Sequence, residues 1–141
     1  MILTERHIIK YGSLEYDEFD KLCFLSKNLY NTALYRIRQH YFKTGKNLKR
    51  FQLINQLTSE QQVDYVALPR KVSQQVITQV AQNMSSFFEL LKVKKNGVYS
   101  KKVSLPTYKE KDGRNLLVFT NQAISKKQLE TNKIIKFGKN I

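Results

Sequence analysis

A face of amide and hydroxyl side chains is the feature of this sequence best suited to recognition chemistry. The stretch from residue 70 to residue 88 contains no acid. Eight neutral polar residues are spread between residues 74 and 86: Gln74, Gln75, Thr78, Gln79, Gln82, Asn83, Ser85 and Ser86. An amide donates and accepts hydrogen bonds at once, and Gln or Asn can form a paired contact with an adenine edge. Arg70 and Lys71 stand at the entry to this face. The pattern fits either a helix that reads base edges beside a phosphate backbone, or a neutral face that packs near other helices.

A second candidate surface combines basic residues with aromatic ones. Lysines displace counterions from phosphates, and aromatic rings can stack on bases. Tyr99, Tyr108 and Phe119 interrupt the basic run of the C-terminal third. The candidates for contact with a nucleic-acid backbone are Arg70, Lys94, Lys95, Lys101, Lys102, Lys109, Lys111, Arg114, Lys126 and Lys127. The alternative interpretation is an ordinary solvated surface.

The charge balance favours a polyanionic partner. The 141 residues include 25 Lys and Arg against 11 Asp and Glu, a net charge of +14. The first twenty residues are net acidic at −3, residues 21–90 carry +7, and residues 91–141 carry +10. Nucleic acid, an anionic membrane or an acidic protein would each fit this excess. A membrane partner is not expected, because no apolar run is long enough to span a bilayer and the basic third does not have the pattern of an amphipathic helix.

The residue types needed for catalysis or metal binding are not grouped. No phosphate-binding glycine motif, zinc-protease motif or nucleophile elbow occurs. The acids Glu15, Asp17, Glu18 and Asp20 open a predicted helix, where negative charge is favourable without any chemistry. The two histidines are far apart, and the single cysteine, Cys23, lies on an apolar helix face and fits a reducing cytosol. We therefore expect no enzyme activity, no metal and no cofactor.

Three helices are predicted to carry these residues. Apolar residues recur with helical spacing from Tyr16 to Lys43, and a short helix is expected around Lys49–Leu57. The stretch Thr58–Leu68 is predicted to be a loop. Pro69 is suited to the first position of a third helix, which is expected to run to about Lys92.

Strands are predicted on both sides of the helices. Residues 2–11 are rich in β-branched and aromatic types and end at a Gly-Ser pair. Short β-like runs occur at Leu116–Thr120, Ala123–Ser125 and Ile134–Phe137. The order of strand, helices and strands predicts an α+β fold in which the first strand pairs with the last ones.

Four segments together resemble a known family. They are LSKNLYNTALYRIRQHYFKTGK at 25–46, ALPRKVSQQVITQVAQNMSSFFELLK at 67–92, VSLPTYKEKDGRN at 103–115 and LLVFTNQAISKK at 116–127. In order and spacing they resemble the N-terminal half of the TnpB (OrfB-type transposase) family of transposon-encoded RNA-guided DNA nucleases. The resemblance covers essentially the whole chain.

The resemblance implies an architecture and a partner set. It implies a first wedge strand at residues 1–14, a helical recognition lobe at 15–95, and at 96–141 the rest of an oligonucleotide-binding-like wedge barrel. Such a protein binds a guide RNA and a double-stranded DNA target with a short adjacent motif, in a prokaryotic cytoplasm at the nucleoid. The motif-reading positions of the family fall on Lys71, Gln75, Thr120 and Asn121, and on Arg50 or Phe51.

The sequence departs from the family in one respect. The RuvC-like nuclease lobe of the family follows these segments, and this chain stops at Ile141 without the acidic residues and cysteine pairs of that lobe. We therefore expect a truncated, non-catalytic nucleic-acid-binding protein. The alternatives are one half of a split endonuclease that a separate nuclease lobe completes, and a protein-interaction fragment that binds no nucleic acid.

Overall fold

The computed structural model describes residues 2–97, 101–124 and 126–132, and this part of the chain consists of helices joined by turns and by segments without regular secondary structure. The helices, in chain order, are α1 (Leu14–Thr44), α2 (Arg50–Glu60), α3 (Val63–Val66), α4 (Arg70–Lys95) and α5 (Lys126–Asn132), and a short 3-10 helix spans Asn121–Ala123.

The two predicted long helices are confirmed, and local chemistry explains their ends. The Ser13 hydroxyl accepts a hydrogen bond from the Tyr16 backbone N–H at 3.2 Å, which caps the start of α1. The helix ends at Gly45, whose left-handed conformation (φ 71°) lets its N–H donate to the Tyr41 carbonyl. Pro69 precedes α4 as the N-cap residue instead of occupying the first helical position, so this detail of the prediction was wrong.

The predicted loop at Thr58–Leu68 is also partly wrong, because most of it is helical. Helix α2 continues to Glu60, and α3 fills Val63–Val66. The Gln62 side chain accepts a hydrogen bond from the Tyr65 N–H at 2.9 Å and so caps α3. Tyr65 is buried. Tertiary burial and a side-chain cap therefore stabilise a helix that is too short to show a periodic pattern.

The hydrophobic core lies between α1 and α4, and α2 and α3 close it from the side. Its fully enclosed side chains are Leu29, Leu34 and Ile37 of α1, Leu53 and Leu57 of α2, and Val72, Ile77, Val80 and Met84 of α4. The apolar residues of α4 thus face the core, and the amide face is left for other contacts.

The predicted α+β fold with a wedge barrel is contradicted. No strand occurs at residues 2–97, 101–124 or 126–132. Residues 2–10 belong to neither a helix nor a strand, and 121–123 form a 3-10 helix. The predicted strand at Ile134–Phe137 lies outside the described residues. A high β propensity does not produce a strand unless a second strand completes its backbone hydrogen bonds.

Side chains of α1 hold the extended segment, defined here as residues 101–120, in place of a strand. The Asn31 side chain donates to the Lys109 carbonyl at 3.0 Å and accepts from the Lys109 N–H at 2.8 Å. The buried Lys27 ammonium donates to the Lys111 carbonyl at 2.6 Å, and the Ser26 hydroxyl donates to the Leu116 carbonyl at 2.8 Å. These contacts run antiparallel to α1 and take up backbone groups that a sheet would otherwise pair.

A second group of contacts joins the extended segment to both long helices. The Asn115 N–H donates to the Cys23 carbonyl at 3.2 Å. The Asn115 amide nitrogen donates to the Ser26 hydroxyl and to the Gln79 side-chain oxygen, both at 3.1 Å. Asn115 is 5% exposed, and its position fixes the segment between α1 and α4.

Among the helices described, none has a stretch that is both long enough and apolar enough to cross a membrane.

Candidate nucleic-acid interface

Part of the predicted amide face of α4 lines a surface cleft of about 200 Å³, called here the amide cleft. The residues around it are polar or apolar, and none is acidic: Gln75, Val76, Thr78, Gln79, Gln82, Leu116 and Val118. Leu116 and Val118 come from the extended segment and are 54% and 40% exposed. The cleft therefore places amide donors and acceptors beside an exposed apolar surface.

Lys71 and Gln75 lie one turn apart on α4, as the sequence predicted. Both side chains are half-buried, and Gln75 lines the amide cleft. Neither side chain hydrogen-bonds to another residue within the described ranges. In contrast, the Gln79 oxygen is already occupied by Asn115. Lys71 and Gln75 are thus available for an external ligand.

Arg50 is brought to the same face of α4 from the start of α2. Its Nε donates to the Thr78 hydroxyl, and Thr78 lines the amide cleft. The Arg50 guanidinium carbon lies 5.0 Å from the centre of the Phe51 ring, and Phe51 is 71% exposed. The structure therefore associates Arg50 with the cleft and leaves the Phe51 ring open to solvent.

Thr120 and Asn121 follow the two residues of the extended segment that line the cleft. The Thr120 hydroxyl is enclosed and has no hydrogen-bond partner among the described residues. Asn121 is exposed and begins the 3-10 helix, which packs against α4. A buried hydroxyl without a partner is unfavourable unless water or a ligand completes it.

The candidate backbone contacts occupy different environments. Arg70, Lys94, Lys95, Lys101, Lys102, Lys111 and Lys127 are exposed. Lys109 is half-buried, and its ammonium lies 5.0 Å from the centre of the Tyr30 ring. Lys126 is the first residue of α5, and its side chain is not described.

Arg114 differs from the other candidates because its guanidinium is already engaged within the chain. It donates to both oxygens of Asp20, at 2.8 and 3.2 Å, and also to the carbonyls of Asp112 and Gly113. The hydrogen bond from Arg114 lowers the pKa of Asp20, and Asp20 raises the pKa of Arg114. Arg114 therefore links α1 to the turn at residues 111–113.

Sequence reasoning missed Arg38. Its guanidinium carbon lies 4.9 Å from the centre of the Tyr108 ring and 5.8 Å from that of Phe42, and its enclosed Nε has no partner among the described residues. The spacing of four between Arg38 and Phe42 on one helix is a local signal that could have indicated the second contact. The contact with Tyr108 joins positions seventy residues apart and has no local signal.

No group of three or more His, Cys, Asp or Glu side chains that could hold a metal ion occurs within residues 2–97, 101–124 and 126–132. Cys23 is half-buried, and loss of hydration raises the pKa of its thiol. Protonated thiols are weak nucleophiles and weak metal ligands, so this environment is not that of a reactive cysteine.

Comparison with protein-family models, curated protein sequences and solved structures found no match to this chain.

Proposed function

We propose that this chain is a nucleic-acid-binding protein similar to the N-terminal half of the TnpB family, with no nuclease activity of its own. Its partners would be a guide RNA and a double-stranded DNA target in a prokaryotic cytoplasm. The proposal concerns the helices and the extended segment, since the described part of the chain contains no strand of the predicted barrel. The observation that carries it is the amide cleft, where Gln75 is a lining residue, Lys71 lies one turn before it on α4, and no acid lines the opening.

Charge supports this proposal. The net charge of +14 would attract a polyanion, and the acids that are engaged neutralise few of the cations. Asp20 pairs with Arg114 and Glu60 pairs with Arg36. The exposed lysines near the C-terminus of α4 and at the start of the extended segment are thus available for phosphates.

Chemistry at the cleft supports a reading role for Gln75 and a phosphate role for Lys71. An amide can form paired hydrogen bonds with an adenine edge, whereas a lysine contacts phosphate as a point charge. Leu116 and Val118 would contact the apolar part of a base or a thymine methyl group.

Selection from a randomised duplex tests the reading role. We would select 30-base-pair DNA with a randomised core on the immobilised full chain, sequence it, and measure affinities by fluorescence anisotropy. Gln75→Ala should remove the preference at one selected position, a discrimination of about 1–3 kcal/mol. Gln56→Ala, an exposed amide on α2, is the matched control and should leave the preference unchanged.

Lys71→Gln tests the phosphate role in the same assay. It should weaken binding to all duplexes alike and reduce the salt slope by about one, while Lys46→Gln, an exposed lysine outside the cleft, should change both less. Unchanged selectivity in Gln75→Ala together with unchanged affinity in Lys71→Gln would contradict the assignment of this cleft.

The exposed apolar segment at the N-terminus favours a protein contact as a second candidate function. Ile2, Leu3, Ile8 and Tyr11 are each more than 80% exposed. Exposed apolar surface of this kind is typical of contacts with another chain, which a separate nuclease lobe could provide. Absence of binding to both RNA and duplex DNA at low salt would favour this candidate over the first.

A further inference from the structure

A second cleft lies at the junction of α1, α4 and the extended segment, away from the residues that define the amide cleft. Its volume is about 360 Å³, within the range of small-ligand sites. Its polar edge includes Tyr30, Asn83, Ser86, Thr107 and Lys109, and Tyr108 contributes a ring that is 41% exposed. No carboxylate is among its lining residues.

Arg38 does not line this cleft itself but contacts Tyr108, which does. Tyr108 and Phe42 hold it through cation–π contacts at 4.9 and 5.8 Å, and its enclosed Nε lacks a hydrogen-bond partner in the described part of the chain. No described carboxylate lies within ion-pair distance of it. Arg36, two residues earlier, makes two hydrogen bonds to Glu60 at 2.8 and 3.0 Å instead.

Lys109 supplies a second fixed cation at the cleft. Asn31 holds both backbone groups of Lys109, and the ammonium lies over the Tyr30 ring. The Asn83 amide donates to the Tyr30 hydroxyl at 2.8 Å, which fixes that ring in turn. A planar guanidinium and an ammonium without acidic partners are each suited to phosphate oxygens.

We propose that this cleft binds one unstacked nucleotide of a single-stranded polynucleotide. Arg38 and Lys109 contact its phosphates, and its base occupies the cleft against the exposed Tyr108 ring. A concave site of this volume cannot admit a duplex, whereas a single strand presents bases that stack on aromatic side chains. The inference rests on the proposed nucleic-acid function, but it concerns residues that the amide cleft does not use.

The test is fluorescence anisotropy of the full chain with fluorescein-labelled 12-nucleotide oligo-uridine RNA and oligo-thymidine DNA at 50 mM salt. Arg38→Gln should weaken binding about tenfold and reduce the salt slope by about 0.7, the value for one phosphate on a single strand. Tyr108→Leu should also weaken binding about tenfold, through lost stacking. Comparison of the two probes shows whether the site prefers RNA or DNA.

Arg36→Gln is the matched control, since it removes the same charge from the same helix. It should weaken binding less than twofold, because its guanidinium is already paired with Glu60. Melting curves followed by circular dichroism check folding. Arg38→Gln should melt within a few degrees of the unmodified chain. If Arg38→Gln melts much lower, Arg38→Lys is used instead, because it retains the charge and changes only the planar geometry of the group.

Equal affinities of Arg38→Gln and Arg36→Gln for both probes would overturn the inference while duplex binding and the proposed function stand. Failure of the unmodified chain to bind any oligonucleotide or duplex would overturn both. Displacement of the probe by a much lower concentration of polyglutamate than of unlabelled RNA would instead indicate an acidic protein partner, and would also overturn the inference.

Discussion

Asn31 occupies a position where one side chain replaces a pair of backbone hydrogen bonds. Its amide donates to the Lys109 carbonyl and accepts from the Lys109 N–H, the exchange that a neighbouring strand would make. Lys27 and Ser26 provide further donors to the same segment. Single polar residues on α1 therefore determine where the extended segment lies, and with it the position of Tyr108 and Lys109.

Asn31→Ala should lower the free energy of unfolding by about 1–3 kcal/mol, because two hydrogen bonds are lost and the Lys109 backbone groups stay partly buried. Urea unfolding followed by circular dichroism measures this change. Asn55→Ala, an exposed position on α2, should change stability by less than about 0.5 kcal/mol. An equal effect of the two variants would contradict the role given to Asn31.

A second residue-scale prediction concerns Ile77, which is fully buried between α4 and its neighbours. Ile77→Ala should lower the free energy of unfolding by about 2–5 kcal/mol, and Ile77→Val by about 0.5–1.5 kcal/mol if the larger change prevents folding. Leu90→Ala removes an apolar side chain that is 40% exposed and should cost less than Ile77→Ala. A smaller loss of unfolding free energy for Ile77→Ala than for Leu90→Ala would contradict the position of the core described here.

At the scale of elements, the helices were predictable because their signals are local. The apolar stripe of α4, with Val76, Ile77 and Met84, repeats at helical spacing and faces the core. The polar residues between those positions were correctly read as a separate face, and Gln75 lies on it beside the cleft. The sequence could not predict which residues pack beside that face, because Leu116 and Val118 lie about forty positions later in the chain.

The strand predictions failed for a physical reason of the same kind. Residues 2–10 and 115–120 have β-branched and aromatic content typical of strands, but neither stretch forms a strand. A strand forms only where its backbone groups hydrogen-bond to another strand. The Asn115 N–H and the Leu116 carbonyl are hydrogen-bonded to α1 instead. The side chains of α1 that compete with a second strand lie about ninety residues earlier, so no window of sequence reveals them.

The link between α1 and the extended segment should depend on pH. Arg114 lowers the pKa of Asp20, so the stabilisation from this pair is present above the ordinary Asp value of about 3.9 and is lost as the pH falls through the lowered value. The difference in melting temperature between the unmodified chain and Asp20→Asn should therefore be present at pH 7 and shrink as the pH falls below the ordinary Asp value of about 3.9. Glu18→Gln, an exposed acid without this pair, is the control. A difference that is the same at both pH values would contradict the account.

At the scale of the whole molecule, positive charge increases from the N-terminus to the C-terminus of the chain. The first twenty residues are acidic, while residues 91–141 carry +10. The described acids that form ion pairs with arginine are Asp20 and Glu60, and both pairs lie at the surface. The remaining exposed cations make copies of this chain repel one another and attract polyanions.

The central claim, that this chain binds nucleic acid through many phosphate contacts, is tested most directly by the salt dependence of its affinity. Anisotropy of a labelled duplex or single strand should be measured between 50 and 200 mM monovalent salt. If about six or more phosphates are neutralised, the affinity should fall at least about 10³-fold across this range. Binding that changes only a few-fold, or no binding at 50 mM, would contradict the account.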